Sequence, residues 1–346
     1  MKLGLFTLYC HRFSLVVVGL LVFAGPVVAD DVLNVYSHRH YSIDTEINAL
    51  FTERTGIEVK VVNADADQLI ERLKSEGENS PADVLVTVDA GRLQIAKAQG
   101  LLQPLQSEIL LAATPEDLRD DEGYWYPFTA RARIIMVADE RVEEGAITRY
   151  EQLSDERWRG KVVIRSSSSP YNQALVASMV AANGVEATEA WARGVVANMA
   201  RPPQGGDRDQ IRAVASGLAD VCIANAYYLG IMLNSSEPAD RELAQKIRVI
   251  FPNQEDRGAH FNVSAIGVTR FAKNKNAAQR YMEFLLSEEV QQRFAVANYE
   301  YPISLDFSAT PTLESWGEFE VDSDSFPGIG DHLDDAISIF DRVGWQ

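Results

Sequence analysis

The first third of the chain alternates between short apolar runs and longer segments with helical spacing, and this alternation limits the fold more than any other feature. Gly56 and Gly100 follow two of the helical segments, where a helix commonly ends. The predicted elements are, in order, Val32–Tyr36, 44–55, Ile57–Val62, Ala66–Glu76, Asp83–Val88 and Gly91–Gln99. Regular β-α alternation is typical of a mostly parallel sheet with helices on both faces.

A second α/β set follows an aromatic segment, Gly123–Phe128, which we predict to be a loop. The strand-like run Ala132–Ala138 after it is a candidate crossing between two lobes. The later predicted elements are Lys161–Arg165, Tyr171–Ala182, Asp207–Ser216, Ala219–Ala224, the returning strand Asn262–Val268, and the helices Ala277–Leu286, Glu289–Ala297 and Leu333–Val343. At 346 residues, two lobes are more readily formed than one core.

The first 29 residues have the composition of a secretory signal peptide. Lys2 and Arg12 supply positive charge, Phe13–Gly25 is almost wholly apolar, and small residues precede a predicted cleavage site after Ala29. The apolar run is shorter than the roughly 20 residues that a membrane-spanning helix needs. We therefore predict that the mature chain, residues 30–346, is exported and does not insert in a membrane.

The charge and cysteine content exclude several classes of partner and fold. Loss of residues 1–29 removes two positive and no negative residues, so the formal charge changes from −18 to −20. A chain this acidic is a poor partner for nucleic acid or an anionic membrane. Only Cys222 would remain, because Cys10 lies in the signal segment, so no intramolecular disulfide can hold the mature fold.

Three polar clusters follow predicted strands, two of them in the second α/β set. They are His40-Tyr41, the serines Ser166–Ser169 followed by Tyr171, and the pair Tyr227-Tyr228. Each has an ordinary structural explanation: a surface histidine, serines that cap a helix, and a tyrosine in the core. Ligands in open α/β folds bind at the carboxyl ends of strands, however, so a cleft between two lobes would bring the clusters together.

Phenolate and imidazole groups favour a particular class of metal ion. Ca²⁺ and Mg²⁺ prefer carboxylates and carbonyls, and no thiolate is present to favour soft metals. Several phenolates with one imidazole suit a small, highly charged cation, above all Fe³⁺, whose charge favours the ionised phenol. Arg131 or Arg133 could balance the excess negative charge of such a site, although two arginines at strand spacing are also typical of a solvated face.

The order and spacing of several motifs resemble the periplasmic ferric iron-binding proteins of ABC importers, most closely their FutA branch. The resemblance covers nearly all of the mature chain. It is carried by residues 36–41 (YSHRHY), 80–89 (SPADVLVTVD), 164–168 (IRSSS), 171–173 (YNQ), 224–228 (ANAYY), 251–254 (FPNQ) and 298–302 (NYEYP). Position by position, it implies metal ligation by His40, Tyr41, Tyr171, Tyr227 and Tyr228.

The resemblance also implies a type II periplasmic-binding-protein fold, in which two doubly wound α/β lobes joined by a hinge close over iron in the cleft. Lobe 1 would comprise residues 30–130 and a return through 262–310, and lobe 2 residues 131–261. Residues 311–346 would form a loop and a helix that pack on the lobes. The implied protein is a monomeric, non-enzymatic component of the periplasm that delivers Fe³⁺ to an ABC permease; Fe²⁺ could occupy the same ligands more weakly.

Other interpretations of the same residues remain open. An organic cation such as a polyamine could bind Tyr124, Trp125 and Tyr126, and an oxyanion could bind at the serine loop. A hydrolase using Ser166–Ser169 with His260 is disfavoured, because no Gly-x-Ser-x-Gly motif is present. His38 stands where the FutA branch commonly has a small polar residue, and we expect its side chain to be exposed.

Overall fold

The computed structural model describes residues 32–303 and 310–346, so the predicted signal segment lies outside the described residues. The described residues form ten strands: β1 (Val32–Ser37), β2 (Glu58–Asn63), β3 (Val84–Thr87), β4 (Leu102–Gln103), β5 (Tyr126–Ala138), β6 (Val162–Val163), β7 (Val221–Asn225), β8 (Ile247–Ile250), β9 (Phe261–Thr269) and β10 (Tyr301–Pro302).

Thirteen α-helices lie in the same residues: α1 (Ser42–Thr55), α2 (Ala66–Glu76), α3 (Ala90–Ala98), α4 (Glu108–Ala113), α5 (Pro170–Asn183), α6 (Val185–Asn198), α7 (Asp207–Ala215), α8 (Ala226–Leu233), α9 (Pro238–Ala244), α10 (Lys275–Leu285), α11 (Glu288–Asn298), α12 (Pro311–Glu314) and α13 (Leu333–Val343). Helix α13 has the bounds that its amphipathic pattern predicts. No described helix is long and apolar enough to cross a lipid bilayer.

Helix α1 illustrates how the sequence sets an element next to the site. Ile43, Ile47 and Phe51 recur at intervals of four residues and are all buried. The carboxylate of Asp44 accepts a hydrogen bond from the backbone N–H of Tyr41, the residue that precedes the helix. Gly56 ends the helix with a φ of 76°, a left-handed conformation that glycine adopts without strain.

The sheet is mixed, which corrects the prediction of a mostly parallel one. Its strand order is β2-β1-β3-β9-β5-β7-β6. Strand β1 pairs in parallel with β2 and β3, and β6 in parallel with β7. Strand β9 is antiparallel to both β3 and β5, and β5 is antiparallel to β7. Fully buried strands are apolar throughout in either orientation, so the residue pattern does not report strand direction.

Strand β5 connects the two halves of the sheet. Its residues from Tyr126 to Ala132 pair with β9, and those from Arg133 to Val137 pair with β7. The predicted aromatic loop therefore ends early, because Tyr126 and the residues after it are already in the strand. All thirteen residues of β5 are buried, which explains why aromatic side chains belong to it.

The C-terminal segment contacts both halves of the molecule. Phe326 packs edge-on against Trp125, and the backbone N–H of Gly330 donates a hydrogen bond to the side chain of Gln94 in α3. Helix α13 packs on α5 and α6, and Trp345 lies against Trp191 of α6. Residues after 310 thus cross from one half of the fold to the other.

Candidate metal centre

Tyr41 is held between strand β1 and helix α1. Residues 38–40 leave the end of β1, and the backbone N–H of His38 still bonds to the carbonyl of Val86 in β3. The ring of Tyr41 lies over the guanidinium of Arg39, with 4.7 Å between the guanidinium carbon and the ring centroid. His40 is exposed and its ring stacks on that of Tyr41 at 5.0 Å.

The other three tyrosines come from the opposite half of the fold. Tyr171 is the second residue of α5, after Pro170, whose fixed φ suits the first position of a helix. Tyr227 and Tyr228 are the second and third residues of α8, which begins where β7 ends. Both helices therefore present a phenol in their first turn, as the sequence pattern predicts.

The structure brings three phenol oxygens together across the two halves. The Oη of Tyr41 lies 3.1 Å from that of Tyr171 and 3.0 Å from that of Tyr227. The Oη atoms of Tyr227 and Tyr171 are 3.3 Å apart. Tyr228 stacks beside Tyr227 with 4.2 Å between ring centroids, and it lines a cleft of about 550 Å³ together with His40 and Tyr171.

Three of the phenols, those of Tyr41, Tyr227 and Tyr228, have raised pKa values that favour the protonated form. Burial raises the pKa of Tyr41 and of Tyr227 well above the ordinary value, and repulsion from the neighbouring Tyr171 adds to the rise. The pKa of Tyr228 is raised for the same two reasons. Neutral hydroxyls can hydrogen-bond to one another at these distances, whereas several phenolates could share the space only with a cation among them.

Arg131 and Arg133 are not on a solvated face. Both side chains are buried, and their guanidinium carbons lie 5.5 and 5.9 Å from the ring centroid of Tyr171. Arg165, on the loop before α5, approaches the same ring at 5.4 Å. A spacing of two residues predicts that Arg131 and Arg133 point to the same side of β5. It does not predict which half of the protein covers that side. Three guanidinium groups thus lie within 6 Å of the Tyr171 ring, where each can make a cation–π contact.

Arg39 and Glu300 form a buried ion pair beneath the site that the sequence analysis did not single out. Arg39 donates to both carboxylate oxygens of Glu300, at 3.1 and 3.2 Å, and to the hydroxyl of Ser264 at 2.6 Å. Arg131 donates to the same Ser264 hydroxyl at 3.0 Å. In the sequence, only their position inside motifs 36–41 and 298–302 could have pointed to Arg39 and Glu300. Apolar periodicity does not identify a buried charged residue.

The expectation of an exposed His38 is wrong. Its ring is half-buried and lines the same cleft as His40, and its Nδ1 atom is enclosed without a hydrogen-bond partner. Burial lowers the pKa of this imidazole. The cause is the backbone bond to Val86, which extends the pairing of β1 with β3 by one residue and turns His38 inward.

The aromatic segment does not favour the alternative of an organic cation bound by Tyr124, Trp125 and Tyr126 together. Tyr126 is fully buried, and its hydroxyl donates to the carbonyl of Leu105. Tyr124 and Trp125 line a separate groove of about 460 Å³, where the ammonium of Lys97 already lies 4.9 Å from the centroid of the Tyr124 ring. An amine could therefore not stack on all three side chains at once.

The serine loop and His260 do not form a hydrolytic site. Ser166 and Ser168 bond to each other through their hydroxyls, 2.7 Å apart, and the backbone N–H of Ser167 donates to the carbonyl of Gln346. Burial and two nearby arginines lower the pKa of His260 to about 3. Among the described residues, none of the four serines hydrogen-bonds to His260.

The donor set at the tyrosines limits the metals that could bind. Within residues 32–303 and 310–346, no group of three or more His, Cys, Asp or Glu side chains could hold a metal ion. Phenolates with an imidazole are hard ligands that suit a small trivalent cation.

Known proteins share both the sequence and the fold. Residues 79–324 match the family described as bacterial extracellular solute-binding protein. Iron uptake protein A1 of Synechocystis sp. is 49% identical over 314 residues, covering 91% of this chain and 87% of that protein. A structure of Trichodesmium FutA in complex with iron and citrate has a TM-score of 0.85 and 45% identity, over 91% of this chain and 100% of that one.

A ferric binding protein from Campylobacter jejuni has a TM-score of 0.87 at 42% identity, again over 91% of this chain and 100% of that one. These matches confirm the two-lobed type II periplasmic-binding-protein fold that the motifs predict. The matches to these three proteins each cover 91% of this chain rather than a single motif. The chain therefore belongs to the bacterial extracellular solute-binding proteins, in the branch that contains FutA.

Proposed function

We propose that this protein captures ferric iron in the periplasm and delivers it to the permease of an ABC importer. The observation that carries the proposal is the meeting of three phenol oxygens, all within 3.3 Å of one another, from opposite halves of the fold. Its relatives include proteins named for iron uptake and for ferric iron binding. A binding protein needs only a set of ligands for its cargo and a cleft that closes over them, and no catalytic group.

The proposed ligands are His40, Tyr41, Tyr171, Tyr227 and Tyr228. The first two stand at the start of α1 and the other three in the first turns of α5 and α8, so each half of the fold contributes. Iron would replace the hydrogen bonds that now join the phenol oxygen of Tyr41 to those of Tyr171 and Tyr227. Fe³⁺ is favoured over Fe²⁺ because its higher charge offsets more of the cost of ionising buried phenols.

The buried arginines would balance the charge of the loaded site. Four phenolates and a neutral imidazole around Fe³⁺ leave one net negative charge. Arg131, Arg133 and Arg165 all approach the ring of Tyr171 within 6 Å, where a guanidinium offsets that charge without ligating the metal. Arg131 pairs with Glu300 at 3.5 Å and Arg133 with Asp207 at 3.2 Å, so each arginine shares its charge between a buried carboxylate and the site.

Binding and closure would be one event. We infer that the lobes comprise residues 30–130 with 262–310, and residues 131–261, with 311–346 packed across them. Both crossings then fall inside strands, at 130/131 in β5 and 261/262 in β9. A hinge at these strands would separate Tyr41 from Tyr171 and Tyr227 when the cleft opens. The monomer contains every proposed ligand, so no second copy is required.

Metal analysis with a visible spectrum tests the proposal. We expect the purified protein, loaded with Fe³⁺ and desalted, to hold one iron per chain and to show a tyrosinate-to-iron charge-transfer band. Mg²⁺ and Ca²⁺ should neither bind nor displace the iron. If the protein retains no stoichiometric iron after desalting and shows no visible band, both the proposed function and the proposed ligand set are wrong.

A further inference from the structure

A hydrogen bond outside the tyrosine cluster also joins the two halves of the fold. Nη2 of Arg92, in the first turn of α3, donates to the side-chain oxygen of Gln173 in α5 at 2.6 Å. Arg92 lies in the proposed lobe 1 and Gln173 in the proposed lobe 2. The bond therefore spans the cleft, although neither residue is a proposed metal ligand.

Arg92 is held in place by its own half of the fold. Asp89 caps helix α3, and its carboxylate accepts a hydrogen bond from the backbone N–H of Arg92 at 3.0 Å. The Arg92 guanidinium also lies 3.7 Å from the carboxylate of Asp89 and 3.4 Å from that of Asp67 in α2. Its side chain is only 5% exposed. Arg92 would therefore keep two charged partners after the cleft opens.

Gln173 is held by the opposite half. Its amide nitrogen donates to the carbonyl of Ser167 at 3.0 Å, in the loop that precedes α5. Only a side chain with both an acceptor and a donor can bond to Arg92 and to this carbonyl at once, and the amide of glutamine has both. Gln173 follows the proposed ligand Tyr171 by two residues on the same helix, so the bond to Arg92 fixes the start of α5 against lobe 1.

This bond differs from the other polar contacts across the cleft. Among the described residues, and apart from bonds made by the crossing strands β5 and β9, the hydrogen bonds that join the proposed lobes are this one and those from Tyr41 to Tyr171 and Tyr227. Iron would replace the phenol bonds, whereas the bond from Arg92 to Gln173 would persist in the loaded protein. A charged donor makes it stronger than a bond between neutral groups.

We propose that Arg92 and Gln173 are positioning residues that keep the loaded cleft closed and so set the rate at which iron leaves. This inference rests on the proposed function. Iron enclosed in a cleft dissociates only when the lobes separate, and separation must break this bond. Its loss should speed dissociation about 10-fold. Association should change little, because iron enters the open form, in which the bond is absent.

Two substitutions of Gln173 test the proposal. Gln173→Met keeps the length of the side chain but removes both the acceptor and the donor. We expect iron dissociation, measured by chelator capture after rapid mixing, to be about 10-fold faster, with an unchanged charge-transfer band because the ligands are the same. Gln173→Glu keeps a charged acceptor for Arg92 and loses only the donor to Ser167, so its dissociation should be no faster than that of the wild type.

Gln210→Met is the matched control. Gln210 also accepts from an arginine, Arg201, at 3.2 Å and donates to a backbone carbonyl, that of Gln204, at 2.6 Å. All three residues lie in the proposed lobe 2, so this variant should release iron at the rate of the wild type. An unchanged rate in Gln173→Met would overturn the proposal. Equally fast release from Gln173→Met and Gln173→Glu would also overturn it, because the effect would then belong to the bond with Ser167.

A distance measurement separates this proposal from the proposed function. Spin labels on Glu78→Cys and Glu186→Cys, both exposed and one in each proposed lobe, report the opening of the cleft in the metal-free protein. The native Cys222 is buried. Gln173→Met should populate the short distance of the closed form less than the wild type does. If the wild type retains no iron, the proposed function is wrong and these distances alone decide whether Arg92 and Gln173 hold the cleft closed.

Discussion

The phenol oxygens of Tyr41 and Tyr227 lie 3.0 Å apart, although 186 residues separate them in the chain. One stands at the start of α1 in the first half of the sheet and the other in the first turn of α8 in the second half. Tyr227 is buried, Tyr41 is half-buried, and the raised pKa of both phenols favours the protonated form, so their hydrogen bond joins the two halves at the place where we propose that iron binds.

Removal of one phenol should weaken iron binding and change its spectrum. Tyr227→Phe and Tyr228→Phe each remove one proposed charged ligand while keeping the stacked pair of rings. Loss of a group that only supports a metal ligand typically costs about 10–100-fold in affinity, so we expect a loss of at least about 100-fold here. Competition titration against a ferric chelator measures the affinity, and the charge-transfer band reports the ligand set.

Tyr299→Phe also removes one phenol hydroxyl, but outside the site, so it should change neither the affinity nor the band. An unchanged affinity in Tyr228→Phe would remove Tyr228 from the ligand set.

Iron affinity should increase with pH. The pKa values of Tyr41, Tyr227 and Tyr228 lie above the ordinary value in the metal-free protein, so these phenols are protonated between pH 6 and 8. Each phenol that ligates iron must release its proton, which raises the logarithm of the binding constant by about one for each pH unit. Titrations at pH 6, 7 and 8, corrected for protonation of the competing chelator, check this slope. A flat affinity over this range would contradict ligation by phenolates.

Glu151 should make the stability of the fold sensitive to acid. Burial alone would raise the pKa of this carboxylate, but hydrogen bonds from Asn253 and Arg257 and the charge of Arg257 lower it to about 2. A carboxylate with a depressed pKa in the folded state contributes stability that is complete above pH 4.5 and is lost as the pH falls toward 2. Glu151→Gln should reduce the free energy of unfolding by about 2 kcal/mol at pH 7, after allowance for solvent screening.

Urea unfolding at pH 7 and pH 3 measures this effect. The difference between wild type and Glu151→Gln should be less than half as large at pH 3. The same comparison for Glu58→Gln, whose carboxylate is exposed in β2 and pairs only with Lys60, should show little difference at either pH. An equal loss of stability from Glu151→Gln at both pH values would mean that the carboxylate charge is not involved.

Trp345 should fix the position of the loop that precedes Tyr171. The indole N–H of Trp345 donates to the carbonyl of Arg165 at 3.0 Å, and that of Trp191 donates to the carbonyl of Tyr150 at 2.7 Å. Trp345→Phe and Trp191→Phe each remove one buried hydrogen bond, which should cost about 1 kcal/mol of stability in both variants. Only Trp345→Phe should also speed iron dissociation, measured by chelator capture after rapid mixing. Equal dissociation rates in the two variants would show that the loop is held without Trp345.

Much of the local structure follows from the sequence alone. Apolar periodicity locates most of the helices within two residues, because the buried face of an amphipathic helix is written directly in residue spacing. It misses the short helices α4, α8, α9 and α12, which span too few turns to show a repeat, and α6, where small residues weaken the pattern. The site tyrosines are also accessible from sequence, since Tyr41, Tyr171 and Tyr227 all follow strands and ligands bind at strand ends.

The sequence by itself indicated that Tyr41, Tyr171 and Tyr227 follow strands, and that residues 30–346 contain a single cysteine. Only the tertiary structure decided the rest: the antiparallel returns of β5 and β9, the burial of Arg39 and Arg131, the inward turn of His38, and the bond from Arg92 to Gln173. Residue spacing reports which neighbours a side chain has along its own helix or strand. Strand direction, the burial of a charge and the meeting of Tyr41 with Tyr227 depend on contacts between segments that are far apart in the chain, and no local pattern encodes them.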